Sequence, residues 1–327
     1  MTAPSGRGVD VVAFGELVID LIPAGRDGDE PLYAARPGGA PGNVAAGIAR
    51  LGLRAAMLTK VGSDGFGTLA VNALASTGVD VSAIRRAGTE TTALACVTLD
   101  AGGDRGFALY RESCADSVYA AEEVEAGLVR GARVLHVGSL SLKTPVSAAA
   151  QRHAVAEARA AGVLVSADPN LRPAVWDDPA AMAAAGREAV ASADIVKLSR
   201  EELAVLSGTD DEDEGIRRLW HPRLEVMAVT DGAAGAVLHT TAHAVVVPGY
   251  AVAVVDTVGC GDAFTASLLA GLLGGDLGAL DAATLRAIGR RASAAGAIVA
   301  TRAGAMTRMP RGEEIDALIS EQGGDRA

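Results

Sequence analysis

DTVGCGDAF, residues 256–264, joins an apolar segment (252–255) that reads as a strand end to AFTASLLAGLL (263–273), which reads as a buried helix. Gly259, Cys260 and Gly261 then form the turn between them. Strand, glycine turn and helix together are the repeating unit of layered α/β sheets. Backbone N–H groups at such a turn, aided by the helix dipole, make a seat for an anionic oxygen. Asp262 puts a carboxylate where a bound anion would repel it. One reading is that it caps the helix, a common place for Asp. The other is that it acts as a base on a neutral hydroxyl about to attack a phosphoryl group.

A second glycine-rich element favours the chemical reading. PGGAPGNVAAGIARLG, residues 37–52, is again a turn running into a small-residue helix, with its start expected near Gly42. Gly38, Gly39 and Gly42 allow a sharp bend and close approach to a ligand, and Asn43 offers both a donor and an acceptor to sugar hydroxyls. Close packing of the helix on a sheet would also account for these glycines.

The 327 residues are half hydrophobic yet only 3% aromatic, which calls for a core of many small helix–sheet contacts and suits an α/β sandwich. No Pro/Ser-rich linker divides the chain. We expect one domain over 1–318 and a polar C-terminal tail over 319–327. The net charge of −11 argues against a nucleic-acid or anionic-membrane partner. Cys96, Cys114 and Cys260 are widely spaced and odd in number, so neither a disulfide framework nor a zinc site is indicated. The N-terminal MTAPSGRGVD lacks an apolar leader core and 263–273 is too short to cross a bilayer, so a cytoplasmic location is expected.

Strand and helix patterns alternate. Strands are expected at 9–14, 55–61, 133–137, 163–167, 195–198 and 226–229. Helices are expected at 66–75, 121–130, 146–160, 180–191 and 200–206, with a solvated helix start at 210–214. Parallel strands joined in this way bind ligands at their C-terminal ends, here near Gly15, Gly138, Asp168, Ser199, Asp231 and Asp256. Residues 91–100 and 107–110 differ, being β-rich and joined by AGGDRG with no helix between. With 17–33 they read as a flap at the sheet edge, giving lid segments near 17–36 and 88–116. An exposed flap is commonly protected by pairing with its twin, so a homodimer through the lid is expected.

Other phosphate chemistries lack their motifs. The only lysines, Lys60, Lys143 and Lys197, stand in no G-K-[ST], H-R-D and D-F-G are missing, and the first strand is followed by GELVID in place of G-x-G-x-x-G. His239 and His243 have the spacing of a metal pair, but HTTAH lacks the intervening Glu and reads as a surface hairpin.

With both glycine elements in hand, the sequence resembles the ribokinase/PfkB family of carbohydrate kinases over nearly its whole length. GGAPGNVAAGIARLG is similar to that family's N-terminal signature and DTVGCGDAFTASLLAGLL to its C-terminal one. The resemblance implies a three-layer α/β sandwich with a mostly parallel central sheet, a small β-lid over the sugar site, and ATP-dependent phosphorylation of a sugar hydroxyl. It implies Asp262 as catalytic base and Gly259, Cys260 and Gly261 as the anion hole. Asp20, Gly38, Gly39 and Asn43 would grip the sugar. Thr230, Gly232 and Gly235 in VTDGAAGA resemble the nucleotide loop, which Gly261 would adjoin, and Ser293 falls where the family lines the adenine pocket.

KLSREEL offers Ser199 and Glu202 where the family has Asn-x-x-Glu, so Glu202 would organise Mg²⁺ through water and Ser199 would face the nucleotide. VATRAGA (299–305) resembles a loop that in some members binds a monovalent cation such as K⁺, with Asp256 nearby; Arg308 stands where a small polar residue is usual. DPNLRPAVW (168–176) and FALYRESCAD (107–116) resemble the fructokinase branch, which implies Tyr110, Arg111 and Arg172 as sugar-binding groups and fructose 6-phosphate as product. Arg172 also suits the acid sugar 2-keto-3-deoxygluconate. Ribokinase or nucleoside kinase activity, and a sensor without catalysis, are the other readings, though a nucleoside site would want more stacking aromatics.

Overall fold

The computed structural model describes residues 8–99, 105–111 and 113–323. The chain begins with β1 (Val11–Phe14), then sends out the hairpin β2 (Val18–Asp27) and β3 (Glu30–Gly38) before returning through α1 (Ala40–Arg50) to β4 (Ala55–Leu58). After β5 (Lys60–Gly62), α2 (Gly65–Ser76) and β6 (Arg85–Ala87) comes a second excursion, β7 (Ala93–Leu99) and β8 (Arg105–Tyr110). A regular alternation follows: α3 (Ala126–Arg130), β9 (Val134–Val137), α4 (Pro145–Ala160), β10 (Leu164–Ala167), α5 (Pro179–Ala191), β11 (Ile195–Ser199), α6 (Arg200–Ser207), α7 (Glu212–Leu219) and β12 (Val226–Thr230). The chain closes with β13 (Gly235–His239), β14 (Ala244–Pro248), α8 (Cys260–Leu272), α9 (Ala282–Ala300) and α10 (Gly312–Gly323).

Eight strands form the central sheet in the order β14-β13-β12-β11-β10-β9-β1-β4, parallel except where β13 runs against both neighbours. The run VVAF of β1 is buried on both faces, as a central parallel strand must be. Val11 and Ala13 point into a core shared with α1, α8 and α9, whereas Val12 and Phe14 point into one shared with α4 and α5. Helix, sheet and helix therefore make three layers, the expected α/β sandwich. The scarcity of aromatics is met by close approach: a methyl group added at Gly47 would lie 2.6 Å from Ala266 Cβ, and one at Gly271 2.9 Å from Ile288. These glycines let α1, α8 and α9 pack backbone to backbone.

The two excursions form a separate four-stranded sheet, β3-β2-β7-β8, which is the β-lid. Its root is tied to the body through buried Ile19, while Leu32 and Tyr33 are exposed farther out and Tyr110 is exposed on the edge strand level with Ile19. Part of the AGGDRG connection (101–106) lies outside the described residues, as do 324–327 of the polar stretch, whose earlier residues continue α10.

Several expectations change. Residues 252–255 form no strand; the segment is held by main-chain bonds from Val255 and Asp256 N–H to the Ala300 carbonyl, with Val254 and Val255 largely exposed. The turn ahead of α8 is Gly259 alone, because Cys260 and Gly261 are already its first residues. The helix after β3 begins at Ala40, with Pro41 in its first turn, where a missing N–H costs nothing. The span 55–61 breaks into β4 and β5 around Thr59, and 121–130 into a short 3₁₀ turn and α3. HTTAH is the turn of the β13–β14 hairpin, and Asp211 caps α7, both as expected. Among the described residues no helix is long and apolar enough to cross a membrane.

Candidate active site

Gly259 adopts φ 84°, a left-handed conformation that suits glycine, and a side chain there would press to 2.4 Å from Ala305 Cβ. This bend starts α8 with no side chain capping its first N–H groups, although Cys260 N–H donates to the Thr257 carbonyl at 3.3 Å and must leave it to meet a bound anion. Asp262 lies one residue past Gly261 in that first turn, yet its carboxylate does not cap the helix. It accepts from Asn43 Nδ2 at 2.7 Å and from Asn170 Nδ2 at 3.4 Å, partners on α1 and on the loop after β10. The side chain is buried at 6% exposure, and burial raises its pKa to about 6. The Asn43 bond and the charges of Arg172 and Lys197 oppose that rise, while Asp168 adds to it.

The sugar-side candidates gather around this carboxylate from the lid root and α1. Gly39, at φ 108°, turns the chain from β3 into α1, and a side chain on it would strike the Glu16 carbonyl at 2.5 Å. Gly38 leaves room for Asp20, whose Oδ2 would sit 2.5 Å from any Cβ placed there. Burial raises Asp20 to a pKa of about 6, with Asp256 adding to the rise and Arg172 opposing it. Arg172 thus acts electrostatically on both Asp20 and Asp262. Arg111 forms an ion pair with Asp116, and its buried Nη1 has no partner; Asn43 Oδ1 is buried and unpartnered as well. A buried donor and a buried acceptor left open are what a polyhydroxyl ligand would satisfy. Tyr110, in contrast, is 63% exposed at the lid surface.

The anion-side candidates lie across the C-terminal strand ends. Thr230 ends β12 and donates its hydroxyl to the Leu198 carbonyl at 3.3 Å. Gly232 lies in the short turn that follows. Gly235 opens β13, where a Cβ would fall 2.1 Å from the Val247 carbonyl oxygen, so backbone packing alone requires glycine there. Ser293 lies in the middle of α9 with its Oγ buried and unpartnered. Ser199 caps α6, accepting from Glu202 N–H at 3.2 Å, while Glu202 accepts from Ser199 N–H at 2.8 Å and from Leu171 N–H at 2.7 Å. Asp256 accepts from Val258 N–H at 3.1 Å and Gly304 N–H at 3.3 Å.

Four groups complete the site: Asp168, expected near it only as a strand end, and Lys197, Thr265 and Asn170, to which the sequence assigned no role. Lys197, in β11, is buried, donating to Asp168 Oδ2 at 3.0 Å, and it lies so close under α8 that a Cβ on Gly261 would meet its Nζ at 3.0 Å. Burial alone would lower its pKa, but Asp168, Glu202 and Asp262 outweigh burial and hold it raised. Thr265 Oγ1 contacts Asp168 Oδ2 at 3.4 Å, and Asn170 reaches Asp262. The signal was present: a lysine between Val196 and Leu198 in an otherwise apolar strand must face a partner.

A carboxylate kept off its own helix, beside uncapped N–H groups and over a buried ammonium, defines a site for moving an anionic group onto a hydroxyl. The chain belongs to the pfkB family carbohydrate kinases, whose model matches residues 9–311. It is 37% identical to "Probable fructokinase-4" of Arabidopsis thaliana over 323 residues, covering 98% of this chain and 99% of that one. Among solved structures it is similar to fructokinase with bound ATP from Xylella fastidiosa (34% identity, TM-score 0.89, 96% of this chain and 99% of that one). It is also similar to the fructose-, ADP- and calcium-bound fructokinase of Vibrio cholerae O395 (35%, TM-score 0.85, 95% and 98%).

Proposed function

We propose that this chain is an ATP-dependent fructokinase that moves the γ-phosphoryl group to the terminal primary hydroxyl of fructose, giving fructose 6-phosphate. The observation that carries the reading is the Asp262 carboxylate: buried, bonded only by amide donors from other elements, and poised at a pKa of about 6. Such a group is ionised at neutral pH and still basic enough to take a hydroxyl proton. Asn43 and Asn170 aim it. Asp20, Gly38, Gly39, Asn43, Arg111 and Arg172 hold the sugar, with Tyr110 reaching it when the lid folds down, and lid closure excludes water that would compete as acceptor.

The N–H groups of Gly259, Cys260 and Gly261 stabilise charge on the transferring group, and Lys197 supplies positive charge from below. Thr230, Gly232, Gly235, Gly261, Ser199 and Ser293 form the nucleotide side, the open Ser293 Oγ being suited to an adenine nitrogen.

Among the described residues no cluster of three or more acidic, His or Cys side chains would hold a metal alone. Asp168 and Glu202 nonetheless fit a hydrated Mg²⁺, a cation that keeps most of its waters and needs only one or two carboxylates. Glu202 is locked by two backbone N–H groups and retains further lone pairs on both oxygens. Bound Mg²⁺ would neutralise phosphate charge. Asp256 is the residue for a monovalent cation such as K⁺.

Arg172 is already faced by Asp20 and Asp262, which argues against 2-keto-3-deoxygluconate, since a carboxylate substrate would add a further negative charge. The exposed lid residues Leu32, Tyr33 and Tyr110 suit a homodimer, and a cytoplasmic location fits the chain's free cysteines. The test is ATP consumption with fructose, ribose, 2-keto-3-deoxygluconate and adenosine at equal concentration. Fructose should give the highest kcat/KM; preference for any other acceptor would overturn the assignment.

A further inference from the structure

Away from Asp262, positive charge collects in one place. A cavity of about 520 Å³ lies between the end of β3 (Ala35, Arg36, Pro37) and the loop 302–308 that follows α9, lined also by Arg302 and Arg308. Arg302 is engaged, pairing with Glu314 and donating to the Arg308 carbonyl. Among the described residues the side chains of Arg36 and Arg308 have no carboxylate partner. Arg50 donates to the Met309 carbonyl, and its guanidinium is held below the ordinary arginine range by burial and by the nearby charges of Arg311, Arg302 and Arg308. Only Glu314 opposes them.

A chain of net charge −11 does not gather arginines by composition alone. Guanidinium groups without acceptors, repelling one another around an open cavity, are stabilised by a shared anion. Their planar donors match phosphate oxygens in pairs. A cavity of about 520 Å³ falls within the roughly 300–1,000 Å³ of small-molecule sites and leaves space beyond a bare phosphate.

We propose that the cleft between Arg36 and Arg308 is a second anion site that takes a small phosphorylated metabolite. It opens on the lid side of the Asp262 turn and adjoins it, since Ala305 lines the cleft and packs against Gly259. Arg36 stands opposite Asp20 in the β2–β3 register, and Gly304 in the facing loop donates to Asp256 at the start of the glycine segment. An anion bridging Arg36 and Arg308 would fasten the lid root to that loop.

The test is calorimetric titration of inorganic phosphate, and separately of fructose 6-phosphate, into the full chain, with sodium chloride at matched ionic strength as control. Beside any binding of the same probes at the Asp262 turn, a saturable site is expected that is weakened about tenfold or more in Arg36→Ala/Arg308→Ala. If that double variant does not fold, Arg308→Ala alone, which removes an exposed side chain, should weaken binding about threefold or more. The tighter of the two probes identifies free phosphate or a phosphorylated sugar as the source. Binding that is unchanged by the arginine substitutions would belong wholly to the nucleotide turn and overturn the proposal. So would the absence of saturable binding with both probes, or an equal response to chloride. The readout is the loss of binding in the arginine variants, which leave the Asp262 turn intact, so a failure here and a failure of the fructokinase assignment are distinguishable.

Discussion

Asp262→Asn should make the protein inactive and more stable at once. The Asp262 carboxyl has its pKa raised from 3.8 to about 6, chiefly by burial. Between those values the folded state holds the proton more tightly than the unfolded chain, so stability falls as pH rises through that window. The shift of roughly two units corresponds to about 3 kcal/mol by which the ionised group destabilises the fold at pH 7.5. The amide in the variant carries no charge, and turning Asn43 would bring its unpartnered Oδ1 to face the new NH₂, so few hydrogen bonds are lost. We expect a gain of about 1–3 kcal/mol at pH 7.5, disappearing near pH 4, where the wild-type acid is protonated. Urea unfolding of both proteins at the two pH values measures this difference, and Asp20 and Glu16, also raised by burial, are common to both and cancel. Phosphorylation of fructose should fall by several orders of magnitude. An unchanged stability difference between pH 4 and 7.5, or turnover near the wild-type rate, would refute the reasoning.

In the wild type, kcat/KM should decline on the acid side with a limb near pH 6, because the base must be ionised; Asn43→Ala, which removes a bond that lowers the Asp262 pKa, should move that limb upward in a pH–rate series. Lys197→Met should cost about 3–5 kcal/mol in urea unfolding by leaving Asp168 buried and unpaired. Adding Asp168→Asn to that variant should restore much of the loss, whereas no recovery would mean that Lys197 acts through packing alone. Gly259→Ala should lose about 2–4 kcal/mol, from the left-handed backbone and the crowding against Ala305, as read by Tm.

Legibility from sequence followed local physics. The runs at β1, β9 and β10 announce buried parallel strands because both faces are covered, and the glycine pairs announce turns because few other residues bend that way. The segment 252–255 misled because four apolar residues look alike whether they pair in a sheet or cover a helix end, and here their bonds go to Ala300. Asp262 and Asn43 stood out through their places in the glycine elements, and Asp20 only through the family resemblance. Lys197 and Asn170 did not, and Asp168 did only as a strand end, since their partners come from other elements and only the folded sheet brings them together. The arginine cluster was hidden for the same reason: Arg36 and Arg308 are far apart in the chain, and the acidic total masks a local excess.

The charges beneath α8 explain why the fold tolerates so many buried acids. Asp168, Glu202 and Asp262 all act on Lys197 and Asp262 also on Arg172, so three buried acids share two cations. Burial pushes Glu202 up, and Asp168 beside it pushes further. A triphosphate arriving alone would worsen this repulsion, so the site must offset each added negative charge with N–H dipoles from α8 or with a cation brought by the nucleotide. Burial first, and the Asp168 charge after it, keep Asp262 basic until the phosphoryl group is in place. If Lys197 and the cation set that balance, then neutralising Glu202 as Gln should lower the acid limb of kcat and weaken Mg²⁺ dependence together. A shift in one without the other would separate the base from the metal and break the proposed coupling.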